Sequence, residues 1–429
     1  MKIFCTSDWH LGNVFYQHDR LPEHRHFLGW LADRIEEQQP DALLIAGDVF
    51  DNANPSAAAQ EAYYTFLVEA AARCRVLQVV IIAGNHDSAH RLEAPRELLR
   101  CLRMEVRGVV RRRDESRAGE GSEEDAEEFE LDDLIIPIQS RTASGEAAVV
   151  LAVPFLRPGL LRGDSYSAGV NSLLRRLTQR AVELHPGLPL VMMAHMYATG
   201  AEVAGEGASE RLVVGGQEQV DLTDWGVRPD FLTCGHIHKR QRIWGTDWAR
   251  YAGSVLPMSF AETDYRHGVD VVTFVAGRRP EVEFLEYTPE RRLMSLPREG
   301  AAELGELLSL IAAELPDRRG DAPSAEAVYL DLRLKTDRLN PEDRTTIMAA
   351  VERKDAIVCH LQPVLPTVDV AAIARPERFR SVDDVLNRDP KEAVRECFEI
   401  MMNGREMNER QLGMLDRVMQ RIQTCQDED

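Results

Sequence analysis

Cysteine is scarce in this 429-residue chain, and aromatic residues are few. The seven cysteines, at 5, 74, 101, 234, 359, 397 and 425, are odd in number and include no CxxC pair. Neither a disulfide framework nor a zinc ribbon is indicated, and a reducing compartment is the simplest reading. Long hydrophobic runs are missing too: none approaches the roughly 18 residues that span a bilayer, and the apolar residues before Asp8 are too few for a signal peptide. The expectation is a cytoplasmic protein with no membrane partner. Positive charge is in deficit, 51 basic against 71 acidic residues for a net charge of -20, which argues against a general coat for nucleic acid. What is present, 44% hydrophobic and 28% charged residues, is a globular composition with room for about three domains.

Polar residues stand at the ends of apolar runs. The stretch Val76 to Ala83 reads as a strand buried on both faces, and it ends in Gly84-Asn85-His86-Asp87. Ligands of open α/β sheets gather at such carboxyl ends. The pattern recurs along the chain. A strand over Lys2 to Thr6 leads to Asp8-Trp9-His10, where period-2 spacing puts Asp8 and His10 on one side of an extended segment and Trp9 on the other, into packing. Helical spacing of Phe27, Leu28, Leu31 and Ile35 predicts a helix over Leu21 to Gln38 before the run Ala42 to Ala46, which ends in Gly47-Asp48. Helices are expected over 55–73, 94–103 and 171–184. The runs Leu190 to Ala194 and Phe231 to Cys234 deliver His195 and Gly235-His236-Ile237-His238. Five strand ends bearing Asp, His or Asn are not explained by packing.

Residues 111 to 133 hold four basic and eleven acidic residues, so this segment alone supplies -7 of the charge. It reads as a mobile acidic insert unable to bury a core. With it set aside, basic clusters such as Arg175-Arg176 and Lys239-Arg240 stand out against a less acidic remainder.

The D-x-H, G-D, G-N-H-D, H and G-H-x-H motifs, in this order, resemble those of the metallophosphoesterase superfamily. Thr6 to Gly12, Gly47 to Asp51, Gly84 to Ser88, Pro154-Phe155-Leu156-Arg157-Pro158 and Tyr251-Ala252-Gly253-Ser254 are similar to its bacterial nuclease branch, whose members work with an SMC-like ATPase. The resemblance is strongest over residues 1 to about 290. It implies an α/β fold: a β-sandwich flanked by helices over 1–275, a small α/β capping domain over 276–365, a linker over 366–380, and a helical ATPase-binding segment over 381–429. It assigns Asp8, His10, Asp48 and His238 to one metal ion, and Asp48, Asn85, His195 and His236 to a second, with Asp48 as the bridge. His86 becomes the catalytic residue, oriented by Asp87. Two divalent ions bring four positive charges and two carboxylates cancel only two, which suits an anionic phosphodiester. The mixed oxygen and nitrogen set suits Mn²⁺ better than Mg²⁺.

The function implied is Mn²⁺-dependent exonuclease and endonuclease cleavage of double-stranded DNA ends and hairpins in repair, recombination and replication. The partner implied is an SMC-like ATPase, with the chain a homodimer inside a heterotetramer, paired through helices near 55–73 and 91–103. A phosphoesterase acting on a small nucleotide or phosphoprotein, or a scaffold with a vestigial site, are the alternatives. The complete ligand set argues against the scaffold. The additional domain and helical tail argue against a compact small-molecule phosphatase.

Overall fold

The computed structural model describes residues 1–112, 129–141, 147–161, 164–203, 219–222, 227–275, 277–365, 391–392, 394–395, 398 and 406–426. By internal contacts the chain divides into one compact unit of Met1–Arg333 with Glu342–Gln362, and a second of Leu334–Pro341 with Pro363–Asp429.

In chain order, the strands are β1 (Lys2–Thr6), β2 (Val14–Phe15), β3 (His18–Asp19), β4 (Ala42–Ala46), β5 (Gln78–Ile82), β6 (Met104–Arg107), β7 (Ile135–Gln139), β8 (Ala147–Val153), β9 (Leu190–His195), β10 (Phe231–Gly235), β11 (Gln241–Arg242), β12 (Ala249–Tyr251), β13 (His267–Thr273), β14 (Glu281–Tyr287), β15 (Leu293–Leu296), β16 (Val328–Lys335) and β17 (Ala356–Val364). Among the described residues they form two six-stranded sheets, ordered β14-β13-β1-β4-β5-β6 and β11-β12-β10-β9-β8-β7, a β15-β16-β17 sheet and the β2-β3 hairpin. Strands β1, β4, β5 and β6 run parallel, as do β8, β9, β10 and β12.

Alternation explains why these strands read as unbroken apolar runs. In β4, Leu43 and Ile45 face the helices while Leu44 and Ala46 face the other sheet. In β9, Val191 and Met193 meet Leu44 and Ala46 in the shared inner core, while Leu190, Met192 and Ala194 face outward onto the opposite helical layer. The result is helix, sheet, sheet, helix, with both faces of each sheet buried. Each fully buried Leu, Ile or Val contributes roughly 1.5 to 3 kcal/mol of transfer free energy, so the register of these runs is strongly specified.

The helices follow their local signals. α1 (Leu21–Gln38) begins with Pro22 in its first turn, where a missing N–H costs nothing, and stops at Gln39, which adopts a left-handed φ of 49°. α2 (Ala57–Arg73) is capped by Ser56, whose side chain accepts from the Ala59 N–H. Ser165 caps a helix at Tyr166–Leu184, so that helix starts five residues before the expected 171. The helix expected over 94–103 is instead two short ones, Ala89–Glu93 and Arg96–Arg100, because Pro95 cannot donate to a preceding carbonyl.

Two further expectations change. The first sheet does not end at 275: β14 pairs antiparallel with β13 along its whole length, so the sandwich extends to Tyr287. The ends of the acidic segment are also ordered parts of the fold. Phe129 and Leu131 are buried, and the Asp133 carboxylate binds the guanidinium groups of Arg96 and Arg111, while its carbonyl accepts from Arg107. Residues 113–128, which hold the rest of that segment, lie outside the described residues. In the second unit, Glu409–Gln426 is helical, and Met414 and Val418 are exposed on it. Of the helical segment expected over 381–429, residues 381–390 and most of 393–405 lie outside the described residues.

Candidate active site

The carboxyl ends of β1, β4, β5, β9 and β10 meet at one buried centre. Asp8, His10, Asp48, His195, His236 and His238 are all buried there. Ligand-capable atoms of Asp8, His10 and His238 lie within 4.8 Å of one another, as do those of His10, Asp48 and His86, and of Asp8, Asp48 and His195. Asn85 joins the cluster through its side-chain oxygen, 2.9 Å from His195 Nε2 and 2.9 Å from His236 Nδ1. The seven candidate metal ligands singled out by sequence, with His86 at their edge, are therefore brought to one place.

The geometry that presents them is not the extended one expected from period-2 spacing. β1 ends at Thr6, and Asp8 and His10 adopt left-handed φ angles of 51° and 47°. Asp48 and His236 do likewise, at 47° and 100°. Hydrogen bonds between the two loops hold this conformation: Asp8 N to Gly47 O at 3.0 Å, and His10 N to Asp48 O at 3.0 Å. Two glycines allow the close approach. A Cβ on Gly84 would stand 2.1 Å from an Asp48 carboxylate oxygen, and one on Gly47 would stand 2.4 Å from His195 Nδ1. Trp9 packs as expected, edge-on to Phe27 and Phe66, with its indole N–H donating to Thr6.

Hydrogen bonds around the centre set which atoms face it. His195 Nδ1 lies 2.9 Å from the carbonyl of Ala46 and donates to it, which leaves Nε2 facing Asp48 at 3.3 Å. Asp48 accepts from the His86 backbone N–H at 2.8 Å, and Asp8 accepts from that of His236 at 2.9 Å and from the Ser7 hydroxyl at 2.6 Å. Burial alone would raise the Asp48 carboxyl, but His195, with His10 and His86, holds it well below the usual carboxylate range. Conversely, burial would lower His195, and Asp48 overrides it and pushes the imidazole up to about 9. His236, buried and repelled by His195, is pushed down to about 3.

A divalent cation fits this donor set. Both ring nitrogens of His10 are buried without a hydrogen-bond partner among the described residues, at a cost of roughly 1 to 3 kcal/mol each unless something else binds them. When neutral, with its Nδ1 proton committed to Ala46, His195 presents a lone pair to the Asn85 oxygen. Two acceptors 2.9 Å apart need a proton or a cation between them. Aspartate oxygens, an amide oxygen and imidazole nitrogens are the ligand types of dinuclear hydrolytic sites.

His86 stands apart from the others. It is exposed, and its Nδ1 lies 2.8 Å from the carbonyl of Asp51. That carbonyl, not Asp87, orients its ring. Asp87 is instead a buried clamp: its carboxylate accepts from the N–H groups of Val49, Phe50 and Gly84 at 3.1, 2.9 and 2.9 Å, tying the Asp48 loop to the Asn85 loop. Two supporting residues are not singled out by sequence as site residues, although Asp51 closes the Gly47 to Asp51 segment. Asp51 takes its carboxylate to 3.5 Å from His10 Nδ1, and Glu262, fully buried, lies 3.6 Å from His238 Nδ1. Neither follows an apolar run directly, so no strand-end pattern marks them. The Lys239-Arg240 cluster is not an open basic patch, since Lys239 pairs with Glu202 and Arg240 with Asp270.

A sandwich of two mixed sheets that gathers aspartates, histidines and an asparagine at its strand ends has the character of a metal-dependent phosphoesterase. The family model described as calcineurin-like phosphoesterase matches residues 1–240, the span that holds every one of these motifs. The D subunit of nuclease SbcCD from Rhodobacter capsulatus is 35% identical over 391 residues, covering 88% of this chain and 91% of that protein. The protein of the same name from Escherichia coli K12 is 30% identical over 363 residues, covering 82% of each. The chain belongs to the calcineurin-like phosphoesterases and, within them, to the family of SbcCD nuclease D subunits.

Proposed function

We propose that this chain is a DNA nuclease subunit that hydrolyses phosphodiester bonds at double-stranded ends and hairpins, in the cytoplasm, together with an SMC-like ATPase of the SbcC kind. The observation that carries this reading is the convergence of three overlapping Asp/His groups on Asp8 and Asp48, with the His10 ring near the carboxylates of Asp48 and Asp51 but hydrogen-bonded to neither. Relatives named as nuclease subunits at 30 to 35% identity over most of the chain support it.

Asp8, His10, Asp48 and His238 would hold one divalent ion, and Asp48, Asn85, His195 and His236 the other, with Mn²⁺ the metal favoured by the donor set. When bound, such ions supply Lewis-acid charge to the phosphoryl oxygens and acidify the attacking water. The chain's own contributions can be derived separately. Asp48 and Asp8 are fixed by backbone N–H donors, so they need no reorganisation. His86 gives its Nδ1 proton to the Asp51 carbonyl, so its Nε2 donates to a phosphate or leaving oxygen only in the imidazolium form.

Exposed Met414 and Val418 on the helix Glu409–Gln426 support docking of that helix onto the ATPase, and exposed Val68, Leu98 and Leu102 support pairing of two copies through the helices near 55–73 and 91–103. Incubating the purified chain with Mn²⁺ and end-labelled duplex, with and without the ATPase, tests the reading. Cleavage that disappears on chelation is expected; a metal-loaded protein that cleaves only small phosphomonoesters would overturn it. Ending the chain at Arg380 should abolish co-purification with the ATPase while leaving Mn²⁺-dependent cleavage. Unchanged partner affinity would place the docking surface elsewhere.

A further inference from the structure

Beside the metal centre lies an aromatic cluster that the hydrolytic machinery does not use. Phe15 and Tyr329 are buried at its base, their centroids 5.3 Å apart, with the Arg20 guanidinium 5.1 Å from the Phe15 ring. These rings seat the β2-β3 hairpin. Tyr16 is not needed for that: it retains 42% of its surface exposed, stacks on His360 at 5.6 Å and 28°, and lies 5.6 Å from the half-buried Phe260. His360 is 44% exposed. Tyr16 and Gln17, with φ of 45° and 72°, form the two-residue turn between the paired Phe15 and His18, and this turn projects the Tyr16 ring beyond the hairpin strands.

The cluster is tied to both flanks of the site. Asn13, just before the hairpin, donates its side-chain amide to the Asp51 carboxylate at 2.9 Å, and the Asp51 carbonyl orients His86. On the other flank, Phe260 opens the short turn Phe260–Glu262, whose Glu262 lies 3.6 Å from His238. Phe260 and Glu262 thus lie on one short turn, two residues apart. Resting on the nuclease reading, we propose that Tyr16, with His360 and Phe260, forms a stacking platform for an unpaired nucleobase of the DNA strand entering the site. Exposed aromatic faces accept any base by stacking, and favour strands that are frayed, looped or single over intact duplex.

The test compares the parent with Tyr16→Ala and Tyr16→Trp, folding being checked by melting temperature. In the metal-free parent, a single-stranded oligonucleotide carrying 2-aminopurine should bind with its fluorescence quenched; Tyr16→Ala should lose the quenching and Tyr16→Trp keep it. With Mn²⁺, Tyr16→Ala should lower kcat/KM on an intact oligonucleotide roughly 5- to 150-fold more than on one with an abasic site beside the scissile bond. An equal loss on both substrates, unquenched binding by the parent, or no binding by the parent overturns the platform. Quenching that follows the expected pattern without any DNA cleavage would leave the platform standing and overturn the nuclease reading instead.

Discussion

Replacing Asp87 should damage the candidate metal centre although this residue is not a candidate ligand. Its carboxylate accepts from three buried backbone N–H groups, those of Val49, Phe50 and Gly84. Burial, with Asp48 beside it, pushes the group up to about 6, so it is largely ionised at pH 7 and its hydrogen bonds are charge-assisted. Asp87→Ala leaves three donors without acceptors, at roughly 1 to 3 kcal/mol each, and a water entering the space satisfies at most part of them. The expected loss is about 3 kcal/mol or more. At roughly 2 °C per kcal/mol for a large domain, the melting midpoint of the metal-free protein should fall by roughly 6 °C. Metal content, read by elemental analysis after dialysis, should fall with it, because the two loops held together carry Asp48 and Asn85. Asp87→Asn, which keeps one acceptor oxygen, should lie between. A variant that melts within about 1 °C of the parent and retains its metals would refute the clamp.

Two histidines should separate by metal content. His10→Ala should lose bound metal at little cost to the metal-free protein, because the ring makes no hydrogen bond among the described residues and approaches the Asp51 and Asp48 carboxylates only to 3.5 and 3.8 Å; a large drop in melting temperature would show that the ring serves the fold instead. His86→Ala should keep its metals and lose most cleavage of DNA, and a fall in metal stoichiometry would make it a ligand. Metal uptake should also release protons. With His195 pushed up to about 9, the metal-free protein carries that proton at pH 7 and must give it up to bind a cation through Nε2, so affinity should rise as pH rises toward 9 and level off above. Calorimetry in buffers of different ionisation enthalpy measures this, and binding without proton release at pH 7 would contradict it.

The parts legible in the sequence are those carried by burial on both faces of a strand. The runs Ala42 to Ala46, Leu190 to Ala194 and Phe231 to Cys234 each fill two cores at once, and each ends where backbone leaves the sheet. A polar side chain there has nowhere to point but the site. β14 does not follow the unbroken apolar runs of the inner strands: Glu281-Val282-Glu283-Phe284 alternates polar with apolar, as suits an edge strand with one face to water. The hairpin at Val14–Phe15 and His18–Asp19 is too short to show a period. Nor can the role of Asp51 be read, since it orients His86 through its main-chain carbonyl, a group every residue possesses.

The left-handed backbone at the candidate ligands is equally invisible, and it bears on how the site works. Asp8, His10, Asp48 and His236 are not glycines, and each such conformation costs roughly 1 to 2 kcal/mol, so together they withhold an amount comparable to a sizeable fraction of a domain's net stability. The cost is tolerable because the loops after β1 and β4 go on pairing beyond the strands: Asp8 N to Gly47 O, His10 N to Asp48 O at 3.0 Å each, and Leu11 N to Val49 O at 2.9 Å. None of these bonds involves a side chain that would hold a cation. The candidate ligand positions are therefore fixed by the paired loops, and treatment with a chelator should leave the backbone in place. Amide hydrogen exchange offers the measurement. In chelator-treated protein the amides of Asp8, His10 and Leu11 should stay protected to the same order as those of β1 itself; exchange as fast as that of exposed loops would mean that the cation, not the paired loops, imposes the conformation.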